Sequence, residues 1–208
     1  MMSKKYVLLF SLIMVTACAK APAPTERINN KEVLLDSFEN TITKDTVDYG
    51  SSNDTKIIVT ASTERKVCGN QSLQIEYDLN SSGYMYCARG YGLDVLGSLW
   101  EAPQPDQIAW DQYNGISLQV YGSKRGDIAF DVKDNGGEVW RFLIQDDFDG
   151  WKEVQIPFTN FAARQDWQPA NADGNKVLNF PIKSFQFEPK KPGVGIVNFD
   201  CVKAIKKL

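Results

Sequence analysis

The chain has 208 residues, 43% hydrophobic and 12% aromatic, with 23 Lys+Arg against 26 Asp+Glu and no His. This mildly acidic balance leaves no basic excess to displace counterions from a nucleic acid, so nucleic-acid binding is set aside. Without His, Ser-His-Asp and Cys-His catalysis and His-ligated zinc are excluded, and an enzyme here would need carboxylates, Lys or Tyr.

Residues 1–17 read as a targeting segment: Lys4 and Lys5 lead an apolar run from Tyr6 to Val15, and small residues follow. The run is too short to span a bilayer but suits a signal-peptide core. The ending "VTAC" resembles the bacterial lipobox, which makes Cys18 the lipidated first residue after cleavage. Each buried CH2 of an acyl chain contributes roughly 0.8 kcal/mol, so several chains anchor firmly. Residues 18–32, "CAKAPAPTERINNKE", are Ala/Pro-rich and then polar, an extended tether. The expected location is the bacterial cell envelope. The residues after Cys18 lack the Asp that often marks inner-membrane retention, which favours the outer membrane. Beyond residue 17 the chain carries 21 basic and 26 acidic residues.

Residues 33–208 fit one domain of sufficient size for a core. Period-2 alternation recurs along it. "SLQIEYDL" sets Leu73, Ile75 and Tyr77 against Gln74 and Glu76; "GISLQVYG" sets Ile116, Leu118 and Val120 against Gln119 and Tyr121. "DIAFDVK" sets Ile128, Phe130 and Val132 against Asp131, and "EVWRFLIQ" sets Trp140, Phe142 and Ile144 against Arg141. "DGWKEVQIPF" opens on a tight Asp149-Gly150 turn, sends Val154 and Ile156 inward and ends at Pro157. "KSFQFEP" buries Phe185 and Phe187, and "GIVNFDCVKAI" follows. No stretch has a convincing helical face, although Thr159 could cap one turn. The expected fold is all-β, an antiparallel sandwich or jelly roll.

Beyond Cys18 stand Cys68, Cys87 and Cys201. Export permits a disulfide, and three thiols allow three pairs. Cys68–Cys87 would flank one strand, while Cys201 reads as a small buried residue of the last strand.

The blocks "WDQYNGISLQVYG", "IAFDVKDNGGEVWRFLI" and "DDFDGWKEVQIPFTNF", with "LLDSFEN", "GNQSLQIEY" and "NFDCVKAI" in order around them, resemble family 11 carbohydrate-binding modules. These have a galactose-binding-like β-jelly roll, shared with a mitochondrial assembly-factor family for NADH dehydrogenase. The loops "EAPQPDQIAWDQ" and "ARQDWQPANADGNK" depart from the pattern.

The resemblance implies binding of a poly- or oligosaccharide without chemistry. Sugars stack CH patches on aromatic rings and need paired donors and acceptors for their hydroxyls. Outward positions supply Tyr121, Asp131 and Arg141, and "GYMYCARGYG" supplies Tyr84, Tyr86 and Arg89, with the two Tyr on one strand face. Trp167, in a polar loop with Arg164 and Asp166, is a candidate platform. Trp140 reads as core, and Trp110 and Trp151 as covers of the sheet. The resemblance also implies a structural calcium, with Asp36, Glu39, Asn70 and Asp200 as oxygen ligands. Asp146, Asp147 and Asp149 share one turn and read as a solvated acidic loop, not a glycosidase pair across a cleft. The leading reading is a non-catalytic carbohydrate-binding envelope lipoprotein. The alternative is an assembly module holding an envelope protein partner on the same sheet.

Overall fold

The computed structural model describes residues 30–52, 54–101 and 103–206. The targeting segment, Cys18 and most of the tether lie outside the described residues.

The strands are β1 (Glu32–Asp36), β2 (Asp48–Ser51), β3 (Lys56–Ser62), β4 (Ser72–Leu79), β5 (Met85–Gly90), β6 (Gly115–Ser123), β7 (Gly126–Lys133), β8 (Val139–Asp146), β9 (Asp149–Pro157), β10 (Ala162–Ala163), β11 (Ser184–Pro189) and β12 (Gly193–Ile205). They form two antiparallel six-stranded sheets. Sheet I runs β3-β4-β12-β6-β9 with β1 also paired to β12; sheet II runs β10-β8-β7-β11-β5-β2. This is the expected sandwich. Alternation reveals most of its strands, but not β2, a four-residue "DYGS", nor β3, whose "KIIVTAS" runs apolar without alternating.

The inward faces meet in one core. Leu73 and Ile75 of β4, Leu118 and Val120 of β6, Phe130 of β7, Phe187 of β11 and Phe199 of β12 are all fully buried. Phe187 and Phe199 stack between the sheets, ring centres 3.7 Å apart and planes 9° from parallel. Trp140 is core as expected, its indole N–H donating to Asp134. Trp100, in the loop after β5, stacks on Phe185.

Three local expectations need correction. The turn before β9 lies at Asp147 and Phe148, and Asp149 and Gly150 already pair with Ser123 and Gly122 of β6. Gly150 keeps the positive φ of 85° inside the strand. Asp146 is buried, not solvated: its carboxylate accepts the amides of Ser123, Lys124 and Arg125 at 2.9–3.2 Å and shapes the β6–β7 turn. Thr159 caps nothing; the short turn Phe158–Asn160 starts from Pro157 without a side-chain cap.

The disulfide joins Cys68, in the β3–β4 loop, to Cys201 of β12, with Cα atoms 5.8 Å apart. Cys201 sits at φ 51°, where β12 breaks register between Asp200 and Lys203. Cys87 is free and buried, and burial pushes its thiol up. Its strand, β5, lies in sheet II, whereas Cys201 lies in sheet I.

Candidate functional site

Register decides which side chains share a face. In sheet II the inward residues are Met85, Cys87 and Arg89 of β5, Ile128, Phe130 and Val132 of β7, and Phe185 and Phe187 of β11. The outward set is therefore Tyr86 and Ala88, Ala129 and Asp131, Arg141 and Leu143, and Gln186 and Glu188. One row across the sheet reads Asp48, Ala88, Gln186, Asp131, Arg141, Ala162.

The centre of that row is a lattice of opposite charges. Arg141 holds Asp131 with two hydrogen bonds, Nε to Oδ1 at 2.7 Å and Nη2 to Oδ2 at 2.8 Å. The same Nη2 reaches Glu188 Oε2 at 2.7 Å. Arg164, just past β10, donates to Glu188 Oε1 at 2.7 Å and to Asp131 Oδ2 at 3.2 Å. It also grips Asp166 through Nε and Nη2. Burial pushes the Asp131 carboxyl up against the pull of Arg141. Burial works against the charge on Arg141, but the hydrogen bond and charge of Asp131, with Glu188, raise its pKa overall. The hydrogen bond from Arg164 lowers Asp166 to about 2. Bidentate guanidinium–carboxylate pairs are rigid and directional. Asp131 and Glu188 are both fastened by guanidiniums.

Aromatic rings flank the lattice. The Arg164 guanidinium lies 5.5 Å from the Trp167 ring centre, and Trp167 is 54% exposed. Trp167 and Pro169 wall a depression whose floor includes Ala88, Asp131 and Gln186. Towards the other edge, Tyr86 lies across Gly50 of β2, where a Cβ would come within 3.0 Å of the ring. Its hydroxyl donates to Asp48 at 3.3 Å. Burial and that carboxylate push the phenol up to about 12, so it stays a neutral donor. Tyr84, 58% exposed, stands just before β5 on the same side.

Tyr84, Tyr86, Asp131, Arg141 and Trp167 thus belong to one face. Arg89 does not join them. It points into the sandwich, 2% exposed, and holds Asp36 through Nε at 2.8 Å and Nη2 at 3.3 Å and the Thr46 carbonyl at 2.6 Å. Tyr121 lies on the outer face of sheet I, opposed to Trp151. Gln186 and Glu188 are hidden in plain alternation: they are the outward partners of Phe185 and Phe187.

The four oxygen residues expected to hold calcium each serve the protein. Asp36 accepts from Arg89 and the Phe38 amide. Glu39 accepts the amides of Asn70 and Gln71 and the Asn70 side-chain N–H2. Asp200 accepts the amides of Val67, Cys68 and Cys201. Among the described residues, the only His, Cys, Asp or Glu side chains gathered in threes within 4.8 Å are Cys68, Asp200 and Cys201, and the two Cys are bonded to each other. Calcium takes six to eight converging oxygens, and as placed these residues do not fit that cage.

The family model "carbohydrate binding domain (family 11)" matches residues 19–207. The chain belongs to family 11 of the carbohydrate-binding domains. Such modules are non-catalytic. This family 11 domain superposes on the family 11 module of Clostridium thermocellum in complex with a β-1,3-1,4-mixed-linked tetrasaccharide, at TM-score 0.65 and 23% identity over 85% of this chain and 96% of that one. It superposes on a solution structure of a family 11 module at TM-score 0.67 and 22% identity, over 86% and 96% of the two chains. In sequence it is 26% identical to endoglucanase H of Acetivibrio thermocellus over 80% of this chain; the family 11 domain spans only 17% of that enzyme.

Proposed function

We propose that the domain binds an uncharged β-linked glucan along the outer face of sheet II and, lipidated at Cys18, holds it at the bacterial envelope, with the outer membrane favoured. The observation that carries the reading is the charge lattice between Tyr86 and Trp167. Arg141, Arg164 and Lys190 face Asp131, Asp166 and Glu188, three charges of each sign in mutual contact. Paired charges leave little field for a uronate or sulfated glycan. They still present fixed donors and acceptors to hydroxyls, while Tyr and Trp rings offer apolar platforms. The tetrasaccharide bound by the Clostridium thermocellum module is a ligand of this class. Disulfides persist in oxidising compartments, so Cys68–Cys201 supports export.

The test is affinity electrophoresis of the chain beyond Cys18 in gels containing mixed-linked β-glucan. Retardation is expected, and Trp167→Ala and Tyr86→Ala should each weaken it. Unretarded migration in glucan, with retardation in a polyuronate gel, overturns the reading. Labelling with a fatty-acid analogue, lost in Cys18→Ser, tests the anchor.

A further inference from the structure

We propose a second glycan site on the outer face of sheet I, centred on Trp151 and Tyr121. The register makes these two direct cross-strand partners on β9 and β6. Their ring centres are 5.5 Å apart at 81°. Ile116, Leu118 and Val120 turn inward along β6, so Ser117, Gln119 and Tyr121 turn outward. A Trp–Tyr pair on that side contributes nothing to the core, and both rings stay partly exposed.

Polar groups of the right kind surround the rings. Arg65 places its guanidinium 4.4 Å from the Tyr121 ring centre and reaches Asn198 Oδ1 at 3.5 Å. Asn198 is the other cross-strand neighbour of Tyr121 and binds Gln74 in turn. Gln119 and Glu153 oppose each other two residues along the same pair of strands. Glu153 is fixed by the Ser117 hydroxyl at 2.6 Å and the Gln155 amide at 3.0 Å. The loop carrying Arg65 is itself fastened, by the Cys68–Cys201 bond and by Asp200 accepting the Val67 and Cys68 amides. A ring pair edged by amides, one carboxylate and one stacked guanidinium matches an uncharged sugar: CH groups on the indole, hydroxyls to Gln119, Glu153 and Arg65. The two sites lie on opposite faces, so one domain would join two polysaccharide strands, with the avidity of paired sites on a polymer.

This site stands independently of the sheet II face, and the experiment separates them. The full-length chain, in detergent, is titrated with a β-1,3-1,4-linked glucan tetrasaccharide, with the Trp151 and Trp167 indole N–H resonances monitored. Two sites per chain and movement of both indoles are expected. Trp151→Ala, and separately Gln119→Ala with its rings intact, should each leave one site and preserve the Trp167 response. Trp167→Ala should leave the Trp151 response. Wild-type chain should cross-link soluble glucan, and every one of these variants should lose that ability. A single site that Trp167→Ala abolishes and Gln119→Ala leaves untouched overturns the second site only. A single site that Trp167→Ala leaves and Gln119→Ala weakens overturns the sheet II reading and keeps this one. No movement of the Trp151 indole in folded wild-type chain overturns the proposal outright.

Discussion

Arg89 and Asp36 meet inside the sandwich, Nε 2.8 Å from Oδ2, with side chains only 2% and 0% exposed. The pair ties β5 of sheet II to β1 of sheet I. Removing one partner of a buried pair leaves the other uncompensated, at a cost of about 3–5 kcal/mol. Arg89→Ala should destabilise the fold by that order in urea denaturation. Because Arg89 faces inward, the protein that remains folded should bind glucan with unchanged affinity.

The same pair sets a pH dependence. Burial pushes Asp36 up to about 6, against the pull of Arg89. Between about pH 4 and 6 the folded chain therefore holds a proton that the unfolded chain has released. Stability contributed by Asp36 is full below about pH 4 and declines as pH rises through about 6. Denaturation midpoints measured across that window should fall more steeply for the wild type than for Asp36→Asn.

Reduction and chelation should have opposite outcomes. Cys68 and Cys201 are 133 residues apart, and a loop of that size confines the unfolded chain by roughly 5 kcal/mol in the chain-entropy model. Cys201→Ser should lower the melting temperature markedly. EDTA should not move it, because Asp36, Glu39 and Asp200 are already held by N–H donors. A chelator-induced drop reversed by calcium would contradict this.

Arg141→Lys should behave as a non-conservative change. A lysine ammonium cannot bridge Asp131 and Glu188 in the plane the guanidinium occupies. Glucan affinity should fall about tenfold, equal to ~1.4 kcal/mol, measured by isothermal titration, with Trp167 still exposed.

Gly50→Val tests the Tyr86 platform without altering its ring chemically. A Cβ at position 50 would come within 3.0 Å of the ring, so the added side chain displaces it. Affinity should fall several-fold, towards that of Tyr86→Ala.

Much of the fold is legible in the sequence because alternation is strict where a strand has one wet face: β4, β6, β7 and β11 read directly. Alternation gives in or out, not which sheet, and so it groups Tyr121 with residues on the opposite face. Arg89 misleads by its type, since its partner Asp36 lies 53 residues away and only the packed sheets bring them together. Cys68 and Cys201, 133 residues apart, meet within sheet I because β12 pairs with β4. Asp146 sits in an acidic run that looks solvated, and its role in holding three amides depends on the β6–β7 turn, which lies elsewhere in the chain. Trp167 and its neighbours Arg164 and Asp166 stand close in sequence, and the structure keeps them together.

The place of β12 bears on the order of events in folding. It is the last of the described strands, yet it sits between β4 and β6 and also receives β1. Until it is made, β4 and β6 have no common neighbour and sheet I cannot assemble. Long-range pairings of this kind form late and slowly. Sheet I of a chain so arranged is completed only once β12 is available to pair with β4, β6 and β1.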